Sequence, residues 1–156
     1  MAQEIFNFII QTREAFIRLV NSLSVEELNQ IPAGFNNNII WNFGHIVVTT
    51  PALCYVRTGI WTDVSAIKYW NEFKKDSKPS RDINEEEIAE LKALAISSIE
   101  SIKEDYKKGI FNSVTPFATA TYGADMNSFE EILVTTVGHD NMHLGYALAQ
   151  RKLIIK

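Results

Sequence analysis

The sequence predicts an all-α fold, a four-helix bundle with long crossover connections. Four long segments repeat apolar residues at helical spacing, several begin with residues typical of helix N-caps, and no segment alternates convincingly as a strand. Residues 60–82 and 110–127 form two long connections between the helices. With 156 residues, 46% of them hydrophobic and 22% charged, the chain is expected to form one domain, 1–156, with its own core.

The first two helices are predicted from periodicity and capping. Over residues 4–22, apolar side chains recur every three, four or seven positions, which is typical of an amphipathic helix. Ser24 followed by Glu27 has the form of a capping box, so a short helix is expected to begin there. Pro32 should end that helix, because the residue before a proline avoids helical geometry.

The next segment, residues 39–57, is apolar on nearly all sides, which is typical of a helix buried on most faces. Pro51 lies inside it, where its ring clashes with the carbonyl of Val47 and one hydrogen bond is lost, so we expect a kink that makes room for a ligand. Alternatively, the helix ends near Thr50 and another begins with Pro51 in its first turn. The stretch Ile39–Val56 is short for a membrane span and contains polar residues, so we interpret it as a helix buried in protein.

The remaining helices are predicted over residues 84–109 and 129–151. Asn84 with Glu87 and Ser128 with Glu131 resemble capping boxes, and Gly109 is expected to close the first of these helices. The last residues, 153–155, are interpreted as a possible short extended piece. The connection 60–82 is too aromatic for a solvated loop, so it is expected to pack on the bundle and to wall the opening near Pro51 with Trp61, Tyr69, Trp70 and Phe73.

Charge and cysteine content exclude several classes of protein. The net charge is −4 and no basic patch is present, so binding to nucleic acid is not expected. Cys54 is the only cysteine, which excludes an intrachain disulfide, and we expect it to be a small buried residue. Residues 1–15 lack the pattern of a signal peptide, so a cytoplasmic protein without a membrane partner is expected.

The three histidines of the chain suggest a metal site. His139 and His143 are four residues apart and therefore lie on one face of the last helix, and His45 lies in the middle of the buried helix. If these helices are neighbours, three imidazoles can bind one divalent metal ion and leave a coordination position open. The alternative is that the histidines are hydrogen-bonded core residues, since an HxxxH pair alone is weak evidence.

Helical spacing also identifies residues that can line such a site. Trp41, Asn42 and Thr49 share the face of His45, and Tyr146 lies near the histidine pair. We expect these four to contact a substrate or to hold the ligands, although ordinary core packing explains Trp41 and Tyr146 equally well.

Two motifs resemble those of the DinB-like superfamily. They are N-x-x-W-x-x-G-H over residues 38–45 and H-x-x-x-H-x-G over residues 139–145. The resemblance implies an up-down-down-up bundle in which His45, His139 and His143 bind a divalent ion, often zinc or nickel. It also implies a homodimer. Members known to be enzymes are transferases or isomerases that use low-molecular-weight thiols such as bacillithiol or mycothiol.

One position departs from the family pattern. Many members have Glu directly after the first histidine of the pair, whereas this chain has Asp140. In a zincin peptidase the equivalent Glu is the general base. Asp140 is therefore a weak candidate for a catalytic residue, and the 3.6-residue period places it about 100° around the helix from His139, where it can instead orient ligands.

The sequence leaves three functions open. The first is a metal-dependent enzyme acting on a small-molecule substrate, either a thiol S-transferase or, with water in place of the thiol, a hydrolase. The second is a binding or stress-related homodimeric module that holds a metal without turnover. The third is a bundle whose histidines only pack.

Overall fold

A computed structural model describes residues 2–119 and 123–155. The described chain is all-α apart from one short pair of strands, as predicted. Its four long helices are α1 (Ala2–Asn21), α3 (Ile39–Pro51), α5 (Glu85–Lys107) and α6 (Phe129–Ile154), and its shorter ones are α2 (Val25–Asn29) and α4 (Trp70–Phe73).

Side-chain caps determine where most of these helices begin. Helices α2, α5 and α6 each begin with a capping box. The side chain of the N-cap residue accepts a hydrogen bond from the backbone N–H of a glutamate three residues later, and the side chain of that glutamate accepts one from the backbone N–H of the N-cap residue. Asn38 caps α3 by accepting from the backbone N–H of Trp41 at 2.8 Å. The pattern of Ser, Asn and Glu in the sequence therefore located these helix starts correctly.

Pro51 is the last residue of α3, and the helical backbone continues beyond it. Its backbone keeps helical dihedral angles, and residues Ala52–Val56 continue as a π-helical turn in which the N–H of Arg57 donates to the carbonyl of Ala52 at 2.9 Å. The α-helix itself thus ends close to Thr50, as in the alternative, but a π-helical turn follows and no second α-helix begins with Pro51. The change from α- to π-helical hydrogen bonding comes directly after the proline, which has no N–H for the regular ladder. The kink expected at Pro51 stays a prediction.

Among the described residues, one helical segment is long and apolar enough to cross a membrane by length and composition. This segment is Ile39–Val56, and 83% of it is buried inside the protein. Core helices of soluble proteins have the same two properties, and the burial agrees with the interpretation made from the sequence.

The long helices share a core that is organised around one buried cation. Helix α1 packs on α5 and α6, and α3 packs on the same two helices. Arg13 of α1 is fully buried and pairs with Asp140 of α6 at 2.8 Å. Its other nitrogens donate to the carbonyls of Ala95 in α5 and Ile46 in α3 and to the hydroxyl of Thr50. A single side chain therefore bonds to all three other long helices.

The connections contain structure that the sequence did not predict. Helix α4 lies within 60–82, and residues 110–127 include two antiparallel strands, β1 (Phe117–Ala118) and β2 (Asp125–Met126). Strands of two residues are too short to show alternation. The prediction of an extended piece over residues 153–155 is wrong for the first two of these residues. Helix α6 continues to Ile154, whose side chain packs on the core.

Candidate metal centre

The packing of α3 against α6 brings the three histidines together. His45 lies in the middle of α3, and His139 and His143 lie one turn apart on the facing side of α6. The ring centroids are 4.6–5.2 Å apart, and the three ligand atoms lie within 4.8 Å of one another. This is the meeting of three histidines that their spacing predicted, and the cluster can hold one metal ion.

A backbone carbonyl fixes the tautomer of His45. Its Nδ1 lies 2.6 Å from the carbonyl oxygen of Phe73, which can only accept, so Nδ1 carries the proton and Nε2 keeps its lone pair. The ring stacks on Trp41 with centroids 4.8 Å apart, and the indole N–H of Trp41 donates to Ser77 Oγ at 3.0 Å. The ring of His45 is therefore held at its face and at its edge.

An amide network fixes the tautomer of His143. The NH₂ group of Asn42 has three acceptors within hydrogen-bond distance, Asn37 Oδ1, the carbonyl of Asn38 and Gln150 Oε1, so its oxygen is the atom that faces the histidine. That oxygen lies 2.8 Å from His143 Nδ1, which must donate to it. The Nε2 atom of His143 is then free to bind a metal.

Burial keeps the three imidazoles uncharged at neutral pH. Burial, with a smaller contribution from the neighbouring histidines and, for His139, from Arg13, lowers the pKa of His139 to about 4 and that of His143 to about 3. Burial also lowers the pKa of His45, against which the hydrogen bond to Phe73 acts. Because only a neutral imidazole binds a metal, the cluster needs no deprotonation before an ion enters.

Two cavities reach the histidines. The first, of about 300 Å³, lies between α3, α6 and the two connections, and its wall includes all three histidines with Thr49, Leu53, Arg57, Trp70, Lys75, Thr119, Thr135 and Met142. The second, of about 360 Å³, lies on the Trp41 side and is lined by Asn37, Asn42, Lys75, Asp76 and Tyr146 together with His45 and His143. The first volume is large enough for a small organic ligand.

The four residues singled out for the pocket all line one of these cavities. Trp41, Asn42 and Tyr146 line the second cavity and Thr49 lines the first. The hydroxyl of Thr49 lies 3.4 Å from His45 Nε2, to whose lone pair it can donate in the absence of a metal. Tyr146 is about half exposed and packs edge-on against Phe35, so it belongs to the outer wall.

Asp140 lies away from both cavities. Its side chain is fully buried, and one carboxylate oxygen accepts from Arg13, while the other has no hydrogen-bond partner among the described residues. Burial raises the pKa of Asp140, and the guanidinium of Arg13 opposes that shift. In this position the carboxylate holds α6 to the bundle and does not meet a ligand in the cavity.

The four aromatic residues expected at the opening, all from the connection 60–82, lie in different places. Trp70 lines the first cavity, and Phe73 supplies the carbonyl that holds His45. Trp61 instead stacks on Tyr55 at another cavity, and the hydroxyl of Tyr69 donates to Glu90. Trp61 does line a cavity at Pro51, as expected, but none of the histidines lines that cavity. Of the four aromatic residues only Trp70 lines a cavity at the histidines, so the expectation that all four wall one opening beside the metal site is wrong for Tyr69 and Phe73.

Cys54 is a buried core residue, as expected. It is fully buried, and that burial raises the pKa of its thiol to about 12. A thiol with so high a pKa is protonated at neutral pH and is neither a nucleophile nor a ligand.

Sequence reasoning missed three cations near the centre. Arg13 had a detectable signal, because it occupies a core-facing position between Ile9 and Phe16 on an otherwise apolar helix face. Arg57 and Lys75 line the first cavity, and only the folding of the connections brings them there.

Fold and site together define a helical protein with a cluster of three neutral histidines that can hold one metal ion. A comparison with known protein families matches residues 9–147 to the DinB superfamily, and the chain belongs to that superfamily. A search of curated proteins finds no match. The donor set suits a divalent ion such as zinc or nickel, because imidazole nitrogens are common ligands of both and the two assigned tautomers leave a lone pair on Nε2.

Proposed function

We propose that this protein is a metal-dependent enzyme acting on a small molecule, with the chemistry of a thiol S-transferase. The observation that supports this most is the opening of three neutral, largely buried histidines into a cavity of about 300 Å³. A purely structural metal site would be closed by a fourth protein ligand, whereas three ligands leave room for a reactant.

His45, His139 and His143 would hold the ion, zinc or nickel being the metals that the family favours. A divalent ion with three uncharged ligands keeps its full charge and lowers the pKa of a thiol or water beside it. Asn42 and the Phe73 carbonyl keep two of the rings in the tautomer that binds a metal. The side chains of Trp70 and Met142 supply apolar surface to the wall of the first cavity.

The cavity walls favour thiol transfer over hydrolysis. A hydrolase of the zincin type needs a carboxylate as general base close to the ion, and among the described residues no Asp or Glu lines the first cavity. A thiolate attacks an electrophile without such a base. The alternative function is a non-catalytic, metal-binding or stress-related homodimeric module, which would bind the ion but transfer no thiol.

We also propose the up-down-down-up course for the four long helices. The contacts of α1 support this course. From the start of α1 to its end, the residues that it contacts advance along α6, so the two helices are parallel, and they move backwards along α5, so those two are antiparallel. Thus Phe6 shares a core cluster with Phe129, and Arg13 pairs with Asp140 further along both helices. Phe6 also packs on Tyr106 near the end of α5.

Metal content tests the proposed centre. Protein purified without a His tag or chelator should contain close to one zinc or nickel per chain by elemental analysis. His45→Ala, His139→Ala and His143→Ala should each lose most of that metal, because two ligands bind far more weakly than three. Asn141→Ala, on the same helix between the paired histidines, should keep it. Near-stoichiometric metal in His139→Ala would contradict the site.

Metal-loaded protein is then mixed with a low-molecular-weight thiol and an electrophile such as an activated haloarene. Thiol conjugation that disappears in His139→Ala and persists in Asn141→Ala supports the transferase. A metal-loaded protein that conjugates none of a panel of thiols and electrophiles supports the non-catalytic module.

A further inference from the structure

We propose that the ligand of the first cavity is an organic anion and that Arg57 and Lys75 bind its negatively charged group. This inference rests on the proposed function, because it names the class of thiol or electrophile that reaches the metal centre.

The charges around the first cavity are of one sign. Arg57 comes from the end of the π-helical turn and Lys75 from the loop after α4, and both side chains line the cavity beside the three histidines. Among the described residues no carboxylate lines the same wall. A bound divalent ion would add two more positive charges, so a neutral ligand would leave this field uncompensated.

The guanidinium of Arg57 is held in place without being neutralised. It lies over the ring of Phe117 at 4.7 Å from the centroid, and its Nη2 donates to the carbonyl of Ala118 at 3.1 Å. Both partners are uncharged parts of β1, and neither Arg57 nor Lys75 forms an ion pair with any described carboxylate. A guanidinium positioned in this way can offer its remaining N–H groups to a carboxylate.

The second cavity, unlike the first, is lined by charges of both signs, and this difference indicates how the ligand is oriented. Asp76 lines that cavity together with Lys75, so its lining holds one positive and one negative charge. An anionic group is therefore favoured on the Arg57 side of the histidines and not on the Trp41 side. The reactive end of the ligand would point to the histidines and its charged end to Arg57 and Lys75.

The experiment uses the cobalt-loaded protein and two matched thiols, 4-mercaptobenzoate and 4-mercaptobenzamide. The two rings have the same shape, and the para carboxylate cannot reach the ion to which its own sulfur binds. Titrations followed by the visible absorption of Co²⁺ give the dissociation constant of each thiol. We expect the benzoate to bind about tenfold more tightly at low salt, and the preference to shrink in about 0.5 M salt because exposed charges are screened.

Variants assign the preference to the two cations. Lys75→Gln and Arg57→Gln should each reduce the preference to about threefold, whereas Arg57→Lys should keep most of it because it retains the charge. Two controls come from the same loop. Lys78→Gln removes a charge that lines neither cavity, and Asp76→Asn removes the carboxylate of the second cavity, and neither should lower the preference.

The outcomes separate this inference from the proposed function. Equal affinity for the two thiols in the natural protein, or a preference that both Gln variants leave unchanged, overturns the inference while the metal centre stands. Failure to take up cobalt, or cobalt absorption that neither thiol alters, contradicts the proposed function and this inference with it.

Discussion

The ability of the histidines to bind a metal depends on the groups that form hydrogen bonds with them. An imidazole can bind a metal through either nitrogen, and the group that accepts a hydrogen bond from one nitrogen decides that the other is free. Asn42 does this for His143, and its own orientation is fixed by three acceptors around its NH₂ group. Helical spacing placed Asn42 among the residues expected to contact a substrate or to hold the ligands. That it holds His143, which lies on the other helix, depends on how α3 packs against α6.

Asn42→Ala removes the acceptor for His143 Nδ1. We expect metal affinity to fall by about 10- to 100-fold, as is usual when a group that orients a metal ligand is lost. Asn42→Asp keeps an acceptor at that position and should retain most of the affinity. Competition with a chromophoric chelator measures all three proteins, and equal losses in the two variants would show that the amide network matters only for packing.

Protonation of the histidines should destabilise the metal-free protein. In the unfolded chain histidines take up protons near pH 6.5, whereas in the folded protein His139 does so only near pH 4 and His143 near pH 3. Between these values the unfolded state binds more protons, so the free energy of unfolding falls as the pH falls below about 6.5. Each histidine contributes a slope of up to about 1.4 kcal/mol per pH unit.

Urea unfolding of the metal-free protein at pH 7, 6 and 5 measures this slope. His143→Gln should give a shallower dependence over the same range, since one titrating group is gone. A free energy of unfolding that stays constant from pH 7 to pH 5 would contradict the expected burial of neutral histidines.

At the scale of elements, the contact between α3 and α4 connects the core to the centre. Gly44 precedes His45, and a Cβ atom at this position would lie 2.6 Å from the ring of Phe73. The glycine therefore lets α4 lie directly against α3, where the carbonyl of Phe73 reaches His45.

The sequence predicted α3, its cap and its histidine, because these depend on local spacing. It did not predict α4 or the carbonyl, because a four-residue helix has no periodicity of its own and its position depends on a contact 28 residues away.

Gly44→Ala should therefore disturb both the core and the metal centre. The ring of Phe73 is buried and cannot simply rotate away, so we expect a loss of about 1–3 kcal/mol in the free energy of unfolding and weaker metal binding. Gly145→Ala is the matched control on α6, where a Cβ meets nothing within 4 Å. It should gain about 0.5–1 kcal/mol, because alanine favours the helix interior. Denaturant unfolding and metal competition distinguish the two variants, and equal behaviour would contradict the role of the close approach.

For the whole molecule, the sequence predicted the all-α class and the meeting of the three histidines but not what joins the helices at their centre. Apolar periodicity identifies which face of each helix is buried, and capping residues identify where it starts. Neither reveals that a charged residue on a buried face has partners. Arg13 interrupts an apolar face, and only the structure shows that Asp140, Ile46 and Thr50 receive its hydrogen bonds.

Arg13→Met should destabilise the whole bundle. It removes the bonds from α1 to three other helices and leaves the carboxylate of Asp140 buried without its cation, which typically costs about 3–5 kcal/mol. The double variant Arg13→Met/Asp140→Leu replaces the ion pair by apolar groups and should recover most of that loss, because desolvation of the pair offsets much of its attraction. Denaturant unfolding of both proteins measures the difference, and metal content shows whether the double variant still holds His139 in place. If Asp140 acted on a ligand and not on the bundle, the double variant would be no more stable than Arg13→Met, and the single change would leave the free energy of unfolding nearly unaltered.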